Sequence, residues 1–283
     1  MSMMRFQTVE RDSFFTRMDF RPKLVMMTVI SIIAFVWESP AAGGLLTLVV
    51  VVASLLAGVK TGYIRMVITI MIPFYLLLLL THGFFNVDQV KALTGKTELT
   101  TLFMFPTTWP VIGGGRMSVE GVLYGLNVIF KTLTLVLVIP LGIFTTEVDK
   151  FIVGMVRARV PYKLAFIFSA TLRFVPLLFS EIQGIIEAQR LRGLAVEKMG
   201  PLKRVQVYSK VAVPLILGAM VKSQMLEVVL QSKAFTGSPD RTYLHESVLG
   251  PLDYLMIAFF VLLLIAAVVA YLTVGFGKFG GPF

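Results

Sequence analysis

Long apolar runs constrain the fold of this chain more than any other feature of its sequence. Four of them, residues 41–59, 64–85, 121–144 and 252–274, match the about 20 apolar residues that a helix needs to cross a bilayer. A fifth run, residues 24–36, is shorter, and we expect it to span as well because its basic flank reaches the interface. Only 15% of the residues are charged, against about 25% in soluble domains. The sequence therefore predicts an all-α integral membrane protein with about five transmembrane helices.

The residue types that most chemistry requires are scarce. There is no cysteine, which excludes disulfides, a thiolate metal site and a cysteine nucleophile, and there are 2 histidines. The triplet Gly95-Lys96-Thr97 imitates the end of a phosphate-binding loop, but Val90 stands where that loop requires glycine. The zinc-protease motif and the serine-hydrolase motif do not occur. We therefore expect no catalytic centre, no cofactor and no metal site.

The distribution of basic residues predicts which side of the membrane each segment occupies. Residues 145–250 carry 14 Lys and Arg against 8 Asp and Glu, a net charge of +6, whereas the loop 86–120 is neutral. Residues 1–23 are also basic and lack the apolar core of a signal peptide. Because cytoplasmic loops are enriched in Lys and Arg, we expect the N-terminus and the block 145–250 to be cytoplasmic. The overall charge of +10 thus indicates a membrane protein with basic cytoplasmic loops rather than a nucleic-acid-binding protein.

The predicted organisation has four parts. Residues 1–23 form a cytoplasmic N-terminal segment, 24–144 four transmembrane helices, 145–250 a cytoplasmic module, and 251–283 the last transmembrane helix with a C-terminal tail. Two long helices are predicted in the module, at about 162–192 and 202–234. Both are apolar with charges spaced along them, a pattern typical of helices at a membrane interface or under a partner protein.

Prolines, glycines and basic residues mark both long helices. Pro176 and Pro214 lie in the first halves, which predicts kinks and makes both prolines hinge candidates. Gly193 is expected to end the first helix, and Thr236-Gly237-Ser238-Pro239 the second. Basic residues gather at both C-terminal ends, where a cation merely complementing the helix dipole contributes about 0.3–1 kcal/mol.

At these helix ends the sequence resembles a known family. The segment 187–193 (Glu-Ala-Gln-Arg-Leu-Arg-Gly) resembles the first Ala-Arg-Gly coupling motif of the transmembrane T component of energy-coupling factor (ECF) transporters, the CbiQ/EcfT-like family. Residues 172–176 (Leu-Arg-Phe-Val-Pro) resemble the segment that precedes this motif. Residues 18–24 (Met-Asp-Phe-Arg-Pro-Lys-Leu) resemble the family's Leu-Asp-Pro-Arg-Thr-Lys-Leu at the start of the first span. The similarity extends from about residue 14 to about residue 245.

The resemblance implies that both helix ends dock into cytoplasmic ATPases. The second motif departs from the family pattern, because Lys233 stands where arginine is expected and so keeps the charge but loses the planar five-donor fork. Gly193 and Ala234 would allow close approach of the partner backbone, and Arg190 suits a solvated or lipid-phosphate role equally well. The implied ATPase-binding residues are Ala188, Arg190, Leu191, Arg192, Gly193, Ser232, Lys233, Ala234 and Phe235.

The resemblance also implies a function. The chain would be the scaffold and coupling subunit of an ECF-type ABC importer, a multi-pass plasma-membrane protein with long kinked helices in its coupling module. It would link two cytoplasmic ATPases to a small membrane-embedded S component that binds the substrate, a vitamin or a transition-metal ion such as cobalt or nickel. ATP hydrolysis would belong to the partner ATPases, so this chain is not expected to be an enzyme.

Two alternatives compete with this interpretation. The first is a permease subunit of a conventional ABC importer, since Glu187-Ala188 followed by Gly193 imitates the Glu-Ala-Ala-x-x-x-Gly loop of those permeases. The permease pattern would place a proline at position 206, where this chain has Gln206. A single loop of that type would also leave the second helix end unexplained. The second alternative is an intramembrane enzyme, which would require paired polar residues within the spans.

Two polar residues within or beside the spans need separate accounts. Lys131 lies near the middle of the run 121–144, where a cation is a functional hypothesis by default. We favour burial in the bundle against main-chain carbonyl groups. His82, at the outer end of the third span, is expected to be a packed and hydrogen-bonded histidine.

The charge pattern makes a topology prediction. A reporter fused near Gly200, within the block of net charge +6, should read as cytoplasmic, and one near Thr94, in the neutral loop, as external. Paired alkaline phosphatase and fluorescent protein fusions measure both sites. An external signal at Gly200 would contradict the assignment of the whole module.

Overall fold

The computed structural model describes residues 13–94, 98–104, 116–193, 200–238 and 249–279. The chain divides into two compact units: a hairpin unit that includes Phe151–Glu246, and a bundle unit made of Gln7–Lys150 and Ser247–Phe283. The triplet that imitates a phosphate-binding loop, residues 95–97, lies outside the described residues.

The described residues are almost entirely helical. In chain order the elements are α1 (Phe14–Arg17), α2 (Phe20–Val36), α3 (Pro40–Ala57), α4 (Thr61–Phe84), α5 (Val87–Thr94), β1 (Thr101–Met104), β2 (Arg116–Ser118), α6 (Val119–Phe144), α7 (Val148–Arg157), α8 (Tyr162–Leu191), α9 (Pro201–Ser232) and α10 (Pro251–Thr273).

The prediction of an all-α membrane protein is confirmed. Each of the five apolar runs forms a helix, and the observed ends lie within a few residues of the predicted ones. By length and composition, six helices of the described chain suit a membrane crossing: α3, α4, α6, α10, α8 and the segment Val211–Ser232 of α9. The 17 residues of α2 stand at the lower end of the range of about 17–25 residues for a span. The cytoplasmic location of the module 145–250 remains a prediction.

The sequence interpretation missed several short elements. The strands β1 and β2 pair antiparallel with a register irregularity between Thr101 and Phe103, next to the helix α5. The helix α7 follows α6 after a short connection and carries apolar residues at the helical spacing 148, 151, 152, 155 and 156. Each of these elements is short, so local propensity gave little signal for them.

The bundle unit is built around α6. Glycines let its neighbours approach closely, as in other membrane bundles. A side-chain carbon placed on Gly43 of α3 would lie 3.0 Å from Oδ1 of Asn127, and one on Gly125 would lie 3.4 Å from the α4 backbone at Leu79. The hydroxyl groups of Thr47 and Thr134, 2.9 Å apart, add a hydrogen bond between α3 and α6.

The apolar core of the bundle unit lies between α2, α3, α6 and α10. Its fully or almost fully buried members include Met26, Ile33, Val50, Leu137, Leu141 and Phe260. Large apolar side chains on the outer faces of α4 and α10 are exposed, for example Leu76 and Leu262, as expected of helices that face lipid. Most of the apolar side chains of α4 and α10 therefore face the surroundings of the protein rather than its core.

A buried lysine joins the beginning of α2 to the end of α6. Lys23, which immediately precedes the apolar run 24–36, has no exposed surface. Its Nζ donates to the carbonyl oxygen of Thr145 at 2.7 Å and to Oγ1 of Thr146 at 2.9 Å. The ammonium group thus satisfies a carbonyl at the C-terminal, electronegative end of α6.

Acidic residues complete this network. The main-chain N–H of Asp19, the N-cap of α2, donates to Oδ1 of Asp253 in the first turn of α10 at 3.1 Å. Burial is the main cause that lowers the pKa of Lys23 to about 8, and the ammonium of Lys150 adds to it. The carboxylates of Asp19, Glu147 and Asp253 act in the opposite direction and favour the charged form of the lysine.

The two polar residues that the sequence singled out are both accounted for. Nζ of Lys131 donates to the carbonyl oxygen of Phe35, near the end of α2, at 3.1 Å, which confirms the expected carbonyl partner, but the side chain is half-buried rather than buried. His82 contacts the carbonyl of Leu78 through Nδ1 at 2.9 Å and the ring of Tyr124, so it is packed and hydrogen-bonded as predicted.

The C-terminal tail closes on the turn between α2 and α3. The N–H groups of Glu38 and Ser39 donate to the carbonyl oxygen of Gly277 at 2.6 and 2.8 Å. The rings of Trp37 and Phe276 pack edge to face with centroids 5.3 Å apart. Gly277 has φ +84°, and a side-chain carbon there would lie 2.6 Å from Cδ1 of Trp37.

Gly277→Ala should therefore loosen this contact. We expect a loss of stability of about 2–4 kcal/mol, because the new methyl group meets both a left-handed backbone and the indole ring. Gly275→Ala is the matched control: Gly275 also has positive φ (+73°), but its nearest neighbour, Cδ of Lys278, lies 3.7 Å away. The control should cost about 1 kcal/mol.

The measurement is thermal unfolding in detergent, followed by the fluorescence of Trp37. The chain has 2 tryptophans, and Trp109→Phe leaves Trp37 as the single reporter. Equal losses of stability in the two variants would show that the indole contact contributes nothing.

Candidate docking site at two helix ends

The helices α8 and α9 of the hairpin unit run antiparallel. The ring of Phe235, just beyond the end of α9, packs on Phe166 near the start of α8, with centroids 4.5 Å apart, and lies 6.1 Å from Tyr162. Farther along, Lys222 of α9 forms an ion pair with Glu181 of α8. The C-terminal end of α9 therefore lies beside the first turns of α8.

The first predicted docking segment is the C-terminal end of α8. The helix ends at Leu191, and Arg192 is its C-cap, with its N–H donating to the carbonyl of Ala188 at 3.3 Å. Gly193 follows with φ +87° and donates its N–H to the carbonyl of Arg190 at 3.0 Å. A left-handed residue after the cap closes the helix by satisfying carbonyls that have no partner within it. The prediction that Gly193 ends this helix is confirmed.

The second docking segment ends α9 in the same way. Lys233 is the C-cap at φ −93° and ψ 12°, close to the −79° and 10° of Arg192. Ala234 follows with φ +50° and donates to the carbonyl of Gln231 at 2.9 Å. The N–H of Phe235 donates to the carbonyl of Leu230 at 2.9 Å. These two bonds form a complete Schellman motif.

This closure corrects the predicted end of the second helix. The sequence interpretation ended the helix at about Ala234 and placed its stop signal at Thr236-Gly237-Ser238-Pro239. The helix ends at Ser232 instead. The sequence alone does not indicate that an alanine adopts the left-handed conformation. The available clue to this helix end was that residues 232–235 correspond to residues 191–194, where glycine occupies the same position as Ala234.

The two ends present the same type of cap but differ in their surroundings. At the α8 end, Leu191, Arg192 and Gly193 are exposed, with Leu191 at 91%. A side-chain carbon on Gly193 would meet nothing within 4 Å, so this glycine is required by its backbone angle rather than by crowding inside the chain. The α8 end therefore projects from the hairpin.

The α9 end is anchored. Ser232, Lys233 and Ala234 are exposed, but Phe235 is half-buried against α8. Gly237, with φ +71°, fits against the side chain of Lys163, whose Cε would lie 3.3 Å from an added side-chain carbon. Of the predicted docking residues, Phe235 is thus the one with a packing role inside the hairpin.

The predicted site residues form two groups at opposite ends of the hairpin. Ala188, Arg190, Leu191, Arg192 and Gly193 are at one end, and Ser232, Lys233, Ala234 and Phe235 at the other. Because Glu181 and Lys222 meet 11 residues before Arg192 and Lys233 on antiparallel helices, about 33 Å separates the two ends. A single groove of ordinary size does not reach both, so the arrangement suits two separate contacts.

The prolines occupy matching places. Pro176 and Pro214 lie inside α8 and α9, which remain helical on both sides of them. Both side chains are exposed, and both helices begin at about the same distance before their proline. Their action as hinges remains a prediction.

The chemistry available at the two ends is hydrogen bonding by exposed cations. Such groups can donate to carboxylate or carbonyl oxygens, with arginine offering a bidentate fork and lysine a point charge. In the part of the chain that the structure describes, no group of three or more His, Asp or Glu residues is placed to hold a metal ion.

Comparison with known proteins gives consistent similarities. Residues 11–244 match the CbiQ family, described as "Cobalt transport protein". The chain is 27% identical over 259 residues to the energy-coupling factor transporter transmembrane protein EcfT of Acidaminococcus fermentans, covering 87% of this chain and 90% of that protein. The EcfT proteins of Streptococcus thermophilus and Lactobacillus helveticus are each 26% identical, over 82% and 89% of this chain and 84% and 88% of theirs.

The two left-handed positions allow a matched pair of substitutions. Ala234→Gly should stabilise the α9 end by about 1 kcal/mol, because glycine adopts positive φ without the clash of a side-chain carbon. Gly193→Ala should destabilise the α8 end by a similar amount because the new side-chain carbon is strained at positive φ. No atom lies within 4 Å of that carbon, so packing neither adds to nor offsets this cost.

Amide hydrogen exchange measures both effects. The N–H of Phe235 should exchange more slowly in Ala234→Gly, and the N–H of Gly193 or its replacement faster in Gly193→Ala. Changes of the same sign in the two variants would contradict the common closure of the two ends.

Proposed function

The chain belongs to the CbiQ family of cobalt transport proteins, and from this premise we propose that it is the coupling subunit of an ECF-type importer. The names of its relatives support a transmembrane component of an energy-coupling factor transporter. In this role it links two cytoplasmic ATPases to a membrane-embedded S component that binds the substrate. The importer takes up a vitamin or a transition-metal ion.

The observation that carries the proposal is the pair of matching helix ends. Each exposes a cation at the C-cap, followed by a residue with positive φ, and the two lie about 33 Å apart. Two separate helix ends of the same type favour two separate binding grooves of the same type, which a pair of ATPases supplies. The alternative of a conventional ABC permease, which uses a single coupling loop, leaves the second end without a role.

The division of labour follows from the residues. The chain offers docking cations rather than a catalytic centre, so the ATPases hydrolyse ATP and this subunit transmits their motion. The S component is bound through apolar surface, of which α8 and α9 supply a large share: Leu164, Ile167, Ile216, Met220, Met225 and Val228 are all more than half exposed. Substrate specificity then belongs to the S component.

Removing the cation of the projecting end tests the proposal. Arg192→Ala should abolish or greatly weaken ATPase docking while the protein still inserts in the membrane. The expected loss is about 2–5 kcal/mol of binding free energy, because the acceptor groups of the partner are left unpaired. Lys233→Ala should be milder, and Lys233→Arg should be tolerated or tighten the complex through its restored fork.

The readout is the amount of ATPase that co-purifies with each tagged variant, normalised to the amount of membrane-inserted chain. Arg65→Ala, at an exposed position of α4 in the bundle unit, removes the same charge and serves as the control. Normal recovery of both ATPases with Arg192→Ala would show that this cation only complements the helix dipole, and it would refute the docking proposal.

A further inference from the structure

An ion pair joins the two helices of the hairpin unit between their docking ends. The ammonium of Lys222 on α9 contacts Oε2 of Glu181 on α8. The side chains are 33% and 26% exposed, so the pair is shielded on part of its surface. It lies on two helices that are otherwise rich in exposed apolar residues, where a charged contact gives a more specific register than apolar packing does.

A glycine leaves room for this pair. A side-chain carbon on Gly218, one turn before Lys222, would lie 2.7 Å from Oε1 of Glu181. Glycine is unfavourable in the interior of a helix, and Gly218 lies well inside α9. Its presence at this point is explained by the carboxylate that packs against it.

The position of the pair relative to the docking cations is symmetric. Glu181 precedes Arg192 by 11 residues, and Lys222 precedes Lys233 by 11 residues. Eleven residues make about three helical turns, so each member of the pair lies about 16 Å from the cation of its own helix and on the same face. The ion pair therefore lies midway between the two docking ends.

We propose that Glu181 and Lys222 are a positioning pair: their contact fixes the crossing of α8 and α9 and thereby the separation of the Arg192 and Lys233 ends. Displacement of one end about this contact moves the other end in a defined way. This inference rests on the proposed function, because its consequence is the simultaneous fit of both ends to their ATPases.

Charge reversal tests the pair in the full-length chain expressed with its ATPases. Glu181→Lys and Lys222→Glu each place like charges at the crossing, and we expect each to lower ATPase recovery about five- to tenfold. The double variant restores opposite charges and should return recovery to within about twofold of the original. Gly218→Ala keeps both charges but displaces the carboxylate, and should resemble the single variants.

Glu227→Lys is the matched control. Glu227 is exposed on α9, and its Oε1 accepts a hydrogen bond from Gln231 one turn along the same helix. The substitution makes the same charge change as Glu181→Lys without touching the crossing, and it should leave recovery unchanged.

A distance measurement separates positioning from simple destabilisation. The chain has no cysteine, so Glu187→Cys and Val228→Cys, each five residues before a docking cation, accept two nitroxide labels at unique sites. Pulsed electron resonance should give a narrow distance distribution with the pair intact, a broadened or shifted one in each single reversal, and a restored one in the double variant.

The outcomes are distinguishable from those of the docking experiment. If Arg192→Ala loses the ATPases but the single reversals retain both the recovery and the distance distribution, the positioning pair is refuted and the docking proposal stands. A double variant that remains as defective as the single ones also refutes it. If Arg192→Ala retains the ATPases but the label distances respond to charge reversal with rescue, the docking proposal fails and the fixed crossing stands.

Discussion

The contact of the Lys23 ammonium group with the end of α6 is the interaction on which the bundle unit depends. Lys23 is fully buried, satisfies the carbonyl of Thr145 and is attracted by the carboxylates of Asp19 and Asp253 at the N-terminal ends of α2 and α10. Helix ends leave carbonyl and N–H groups without partners, and inside a membrane protein no water satisfies them. This buried cation thus satisfies a carbonyl group at the C-terminal end of α6, the point from which the chain continues into α7.

The hairpin unit satisfies its last helix carbonyls differently, at the two ends for which we propose a docking role. At α8 and α9 the last carbonyls are satisfied by a residue with positive φ rather than by a distant side chain. A cap that needs no outside partner leaves the cation beside it free to point outward, as the exposure of Arg192 and Lys233 illustrates. Lys23 is buried whereas these cations are exposed, which accords with a structural role for Lys23 and with the docking role that we propose for Arg192 and Lys233.

Much of the site was predictable because its signals are local. The length of an apolar run fixes a membrane helix, glycine at 193 marks a helix end, and basic residues next to such ends suggest a docking surface. The exact end of α9 was not predictable, because Ala234 adopts positive φ against its own preference while Phe235 is held by Tyr162 and Phe166. A tertiary aromatic contact there overrides local helix propensity.

The sequence by itself determined the helical membrane architecture, the two long helices of the hairpin and the residue types at their ends. Hydrophobic length and helix stop signals depend only on neighbours along the chain. The tertiary structure alone decided which polar groups meet: Lys131 with the carbonyl of Phe35, Lys23 with Thr145, and Glu181 with Lys222. These partners are tens of residues apart or more, and their contact is set by the register in which helices pack, which no local pattern encodes.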